Sequence, residues 1–166
     1  MKILSLDPSG NFSEGKGTTG YALSLDGNLY KVNDIKASDY KIKEAYWLAH
    51  EKLIEKHNPD VIVCESYRLF GHKAKEQSGS SLETAQLIGY LQMVAYKENI
   101  PFVLQDPSIK QRFSDEIMCR LGLIVKKANR YFYKNALTNL HMRDAMRHNL
   151  YFYKYNMKKL KEDLLW

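Results

Sequence analysis

Apolar and polar positions repeat with two different periods along this chain, and the change of period divides it. The first part is short-period and strand-like. Lys2-Ile3-Leu4-Ser5-Leu6-Asp7 is a mostly apolar run that ends on a carboxylate, and a glycine-rich loop follows from Pro8-Ser9-Gly10 to Gly15-Lys16-Gly17. Thr18 to Leu25 reads as a second strand. Asp26-Gly27 is a strong two-residue hairpin signal, and Asn28 to about Val32 reads as a third strand. Connections this short predict an antiparallel meander.

Helical spacing then takes over. Between Tyr40 and Lys56, residues Ile42, Ala45, Tyr46, Ala49, Leu53 and Ile54 share one helix face, with Ser38 or Asp39 as N-cap and Asn58-Pro59 as the stop. Val61 to Glu65 is a buried strand. Ser80 or Ser81 opens a second helix to about Glu98, and Ile100 to Leu104 is a further strand ended by Asp106-Pro107. The remainder reads as basic and largely helical, with a long amphipathic helix from about Thr138 to Leu160. No repeat or linker interrupts the order, which predicts one domain over 1–166. The class is α/β: a mixed five-stranded sheet, three strands antiparallel and then two parallel, flanked by helices.

Composition narrows this only slightly. With 45% hydrophobic and 27% charged residues, the 166-residue chain has the make-up of a globular protein. No apolar run approaches the roughly 18–20 residues of a membrane span, and Met1-Lys2 leads straight into a strand rather than a signal peptide. Cys64 and Cys119 form no CxxC pair, so neither a disulfide framework nor a cysteine-rich zinc site is indicated. A cytoplasmic location without membrane association is expected. Charge says more. The net charge is +6, yet residues 1–107 hold 12 Lys/Arg against 14 Asp/Glu, so the excess sits in the C-terminal third. Segregated positive charge suggests a face that meets a polyanion, the ordinary alternative being lysines solvated on helix surfaces.

The candidate chemistry lies at strand ends. Asp7 closes the first strand and Glu65 the fourth, the positions from which a sheet presents side chains to a crevice. Either alone could be a loop cap or ion-pair partner. Brought together, two such carboxylates repel unless a cation or shared proton relieves them. His141, Asp144 and His148 follow at i, i+3 and i+7, one face of the last helix. Turned toward Asp7 and Glu65, that face offers oxygen and nitrogen donors better suited to Mg²⁺ or Mn²⁺ than to structural zinc.

These residues, in this order, resemble the RuvC-type Holliday junction resolvases of the RNase H-like superfamily, particularly the small versions encoded by bacteriophages. Ile3-Leu4-Ser5-Leu6-Asp7-Pro8 with Thr18-Thr19-Gly20-Tyr21-Ala22 looks like the family's Asp-centred strand and its partner. Val61 to Glu65 resembles the strand carrying the second carboxylate. Gln86-Leu87-Ile88-Gly89, Asp106-Pro107-Ser108-Ile109-Lys110 and His141-Met142-Arg143-Asp144-Ala145 match the later helix, the Pro-x-x-x-Lys stretch and the final helix. The segment Asn11 to Lys16 lengthens the first loop relative to the family.

The resemblance implies an RNase H-like fold and a structure-selective endonuclease acting on four-way junctions and other branched DNA. It implies two Mg²⁺ ions per site, with Mn²⁺ as a substitute. Asp7 would be shared between the ions, Glu65 would complete one site, and His141 and Asp144 the other. Lys110 would stabilise charge near the phosphate. Tyr67, Arg68, Phe70, Lys73 and Lys75 interleave aromatic and basic residues beside Glu65 and would approach the junction centre. Lys126, Lys127 and Arg130 are assigned to DNA phosphates by charge rather than by motif. A homodimer is implied, and Leu82, Leu87 and Leu91 on the second helix offer a candidate face for it. Among alternatives, a sugar-kinase-like ATPase needs a second large domain, and a silent junction binder would lack site carboxylates. A nuclease acting on RNA or RNA–DNA hybrids is the main competitor, because only substrate shape distinguishes it.

Overall fold

A computed structural model describes residues 1–67 and 82–157. The meander forms as β1 (Lys2–Asp7), β2 (Thr18–Leu25) and β3 (Asn28–Lys36). Asp26 and Gly27 take the positive φ values of 49° and 82° that a tight two-residue hairpin demands. The third strand runs on to Lys36 because it stays paired with β2 as far as Thr18. Helix α1 (Lys43–His57) starts later than the spacing predicts, since Ala37–Asp39 forms a separate 3-10 turn. Asn58, left-handed at φ 40°, ends it before Pro59. Then come β4 (Val61–Glu65), α2 (Glu83–Lys97) and β5 (Phe102–Gln105). The candidate caps Ser80 and Ser81 lie outside the described residues.

The main sheet has the order β3-β2-β1-β4-β5, with β1–β2 and β2–β3 antiparallel and β1–β4 and β4–β5 parallel. That is the mixed five-stranded sheet the periodicity predicts. Alternation along β1 divides the layers. Leu4 and Leu6 face a core shared with Tyr46, Leu53 and Ile54 of α1 and Leu87 and Leu91 of α2. Ile3, Ser5 and Asp7 point to the other face, which the last helix covers.

The C-terminal third departs from expectation. After a 3-10 turn (Pro107–Phe113) and α3 (Asp115–Arg120), residues read as helical form a second antiparallel sheet of β6 (Val125–Lys127), β7 (Arg130–Tyr133) and β8 (Ala136–Thr138). Its two turns are the cause. Ala128 takes φ 53°, and Lys134 and Asn135 take φ 45° and 67°, so both connections are tight hairpin turns. Helix α4 (Leu140–Tyr151) continues as a wider π-helical turn over Phe152–Asn156, and its predicted end at Leu160 lies outside the described residues. A second correction concerns the dimer face. Leu87 and Leu91 are fully buried in the chain's own core, so they cannot meet a second copy. No helix among the described residues is long and apolar enough to cross a membrane.

Candidate metal centre

Strand register creates the site. Ile3 pairs with Val61 and Leu6 with Cys64, so the next positions, Asp7 and Glu65, end neighbouring parallel strands on one face. Gln105 lies beside Glu65 on β5. Helix α4 closes over this edge because Gly20, the β2 partner of Asp7, carries no side chain. A Cβ there would lie 2.1 Å from the backbone of His141. Asn139 caps the helix by accepting from the Met142 amide at 2.8 Å. Asn149 pins it further along, its amide donating to Ser5 Oγ at 3.2 Å.

This packing brings Asp7, Glu65 and Asp144 together, with ligand oxygens all within 4.8 Å of one another. Asp7 and Asp144 are almost wholly buried. Burial pushes the Asp7 carboxyl above its usual range, and the neighbouring carboxylates Glu65 and Asp144 add to the effect; the His141 hydrogen bond opposes it. His141 Nδ1 donates to Asp7 Oδ2 at 2.7 Å, a contact that raises the imidazole's affinity for its proton. His141 thus touches the cluster through Asp7, and the compact donor set is the three carboxylates.

Lys110 is placed more centrally than its expected role suggests. Its ammonium bridges Glu65 Oε2 at 2.9 Å and Asp144 Oδ2 at 2.8 Å, supplying one positive charge between two carboxylates. Burial alone would lower the Lys110 pKa, but these two partners raise it. Glu65 shows the converse balance: burial would raise it, and the hydrogen bonds from His148 and Lys110 hold it below its usual value. Arg147 pairs with Asp144 from the far side and donates to the Phe113 carbonyl at 2.8 Å.

His148 is the third residue of the helix face that carries His141 and Asp144. It is fully buried, with Nε2 donating to Glu65 Oε2 at 2.8 Å and Nδ1 2.8 Å from Gln105 Oε1. Neither Gln105 nor Arg147 belongs to a motif in the sequence. The first carried a weak signal as a polar residue ending a strand before Asp106-Pro107, and the second carried none.

A cleft of about 360 Å³ opens beside the carboxylates, lined by Pro8, Glu65, Tyr67, Thr84, Ile88 and Lys110. Tyr67 is half-buried and also packs against the core. Arg68, Phe70, Lys73 and Lys75 lie outside the described residues. Lys126, Lys127 and Arg130 are exposed on the small sheet.

The donor chemistry fits a divalent cation. Three hard carboxylate oxygens converge in a largely buried cluster, and Lys110, Arg147, His141 and His148 offset their repulsion from its edges.

The sequence matches no protein-family model and no curated protein. Solved structures do match in fold. Thermus thermophilus RuvC superposes with a TM-score of 0.65 in complex with Holliday junction substrate, at 14% identity, covering 95% of this chain and 96% of that one. A second Thermus thermophilus RuvC structure gives a TM-score of 0.63 at 14% identity, covering 95% and 97%. The Fowlpox virus resolvase, in complex with substrate Holliday junction DNA, gives 0.52 at 13% identity, covering 95% and 99%. The chain therefore has the RNase H-like fold of RuvC over nearly its whole length.

Proposed function

We propose that this chain is a divalent-metal-dependent endonuclease that cuts four-way DNA junctions and other branched DNA. One observation carries the reading: Asp7, Glu65 and Asp144 converge on one edge of a sheet whose fold is shared with two proteins solved on Holliday junction DNA. Asp7, Glu65 and Asp144 would hold two Mg²⁺ ions, with Asp7 shared, His141 contributing an imidazole once free of its proton, and Mn²⁺ substituting. Bound ions would supply an activated water and neutralise phosphate charge, giving 5′-phosphate and 3′-hydroxyl ends.

The chain's own residues prepare this chemistry. His148 and Gln105 fix the Glu65 carboxylate, and Arg147 fixes Asp144. Lys110 pairs with Glu65 and also lines the cleft, where its ammonium can pair with a scissile phosphate. Tyr67 borders the same cleft and offers a ring on which an unpaired base can stack, followed in sequence by Arg68, Phe70, Lys73 and Lys75. Lys126, Lys127 and Arg130 supply phosphate contacts that carry no sequence information. A homodimer would use the outward stripe of α2 in place of the buried leucines. Gly89 there has open space above it, and Met93 and Tyr96 are exposed.

The test is a panel of labelled four-way junction, fork, linear duplex and RNA–DNA hybrid, each with Mg²⁺ and with EDTA. Mg²⁺-dependent cutting of the junction in preference to duplex is expected. Cleavage of hybrid without cleavage of junction transfers the protein to the RNA-directed alternative.

A further inference from the structure

Residues 121–143 contain five cations and no carboxylate. The small sheet they build has two chemically distinct faces, set by its register. Val125 pairs with Phe132 and Phe132 with Leu137, so these three lie side by side; Lys127 and Arg130 pair on the same face. The opposite face carries Lys126, Tyr131, Tyr133 and Thr138. That second face is the inner one: Tyr133 and Thr138 are buried, and Tyr133 packs in a core with Ala22, Met118 and Met146.

The outer face is therefore an apolar row ending in two cations. Val125 is 54% and Leu137 53% exposed, and Lys127 lies 5.5 Å over the Phe132 ring. An apolar row exposed at Val125 and Leu137, with Phe132 half-buried between them, suits a surface that meets a partner. Charge decides which partner. A second copy would bring Lys127 and Arg130 against cations, with no carboxylate in the whole stretch to answer them. Duplex DNA offers both halves of the complement: phosphates for the cations, and sugar and base edges for an apolar row inserted in the minor groove.

The face is also held rigidly to the carboxylate site. β8 runs through Asn139 straight into α4, which carries His141 and Asp144. Arg143 of that helix donates to the Thr138 carbonyl at 3.2 Å and lies over the Tyr131 ring at 4.7 Å.

We propose that the outer face of the β6–β7–β8 sheet is a duplex-DNA contact surface. Lys127 and Arg130 engage phosphates on a junction arm, and Phe132, with Val125 and Leu137, lies against the groove. The inference deepens the DNA reading of this chain and rests on it.

The test is fluorescence-anisotropy binding of the full chain, in EDTA over a series of salt concentrations, to four-way junctions with long and with short arms. The double variant Lys127→Gln/Arg130→Gln should weaken long-arm binding about tenfold and lower the salt slope by about 2, with a smaller effect on short arms. Phe132→Ser should weaken binding about fivefold and leave the slope unchanged. Circular dichroism and thermal unfolding confirm that each variant is folded; the two cations are exposed, so the double variant stands if Phe132→Ser does not fold. Unchanged affinity and slope in the double variant overturn the proposal. So does a Phe132→Ser chain that loses self-association in sedimentation while binding DNA normally, which makes the face a protein interface. Wild type that binds junctions but cuts no substrate overturns the nuclease reading alone, and the sheet is still judged by affinity and slope. Wild type that binds no DNA overturns both.

Discussion

Replacing His148 with leucine tests whether the second tier of the site orients the carboxylates or merely fills space. The imidazole is fully buried and contacts Glu65 and Gln105 at 2.8 Å each. Leucine keeps most of the volume, so little cavity forms, and the loss is dominated by unmatched polar groups. A buried polar group without its partner costs about 1–3 kcal/mol. Gln105 is buried and loses its main partner, whereas Glu65 keeps Lys110 at 2.9 Å. The expected destabilisation is about 2–4 kcal/mol, read as a shift in urea unfolding. If His148 also orients Glu65, Mn²⁺ affinity by calorimetry should fall about 10- to 100-fold, the usual effect of removing a group that holds a ligand. His148→Gln, which retains an amide donor toward Glu65, should recover part of that affinity. A leucine variant that loses stability and binds Mn²⁺ like wild type would refute the orienting role.

Other outcomes follow from the same geometry. Gly20→Ala should destabilise the fold by about 3 kcal/mol or more in urea unfolding, because a Cβ would meet the His141 backbone at 2.1 Å and backbone cannot yield cheaply; an unchanged midpoint would contradict the close approach. Lys110→Ala should tighten Mn²⁺ binding and lower the cleavage rate, since its ammonium competes for Glu65 and Asp144; weaker Mn²⁺ binding would contradict that role. Buried His50, donating from Nδ1 to the Tyr46 carbonyl, has its pKa pulled by burial from 6.5 to about 4. The unfolded chain thus takes up a proton that the folded one refuses, so stability should fall by about 3 kcal/mol as pH drops from 6.5 to about 4. A His50→Gln chain should show a flatter profile over that range.

The sheet was legible because its signals are local. β1, β2 and β4 match their apolar runs end for end, and Asp26-Gly27 fixes a hairpin with residues suited to positive φ. The placement of Asp7 and Glu65 at strand ends was legible for the same reason, and helix spacing gave His141, Asp144 and His148 a common face. The second sheet was not legible. Its turns, Ala128-Asn129 and Lys134-Asn135, lack the glycine that usually marks such connections, and its strands are only three or four residues long. Partners across the site were also hidden. The contact of His148 with both Glu65 and Gln105 depends on how β4, β5 and α4 register in space, which no sequence spacing encodes. The dimer face failed because Leu87 and Leu91 satisfy a helical stripe that the chain's own core fills.

The central claim is that Asp7, Glu65 and Asp144 form a divalent-metal centre, and titration of Mn²⁺ into wild type and Asp7→Asn by calorimetry tests it most directly. Wild type should bind about two ions per chain. Asp7→Asn, which removes the shared carboxylate charge while keeping its shape, should lose most of that binding. Equal binding by the two proteins, or none by wild type, would contradict the account.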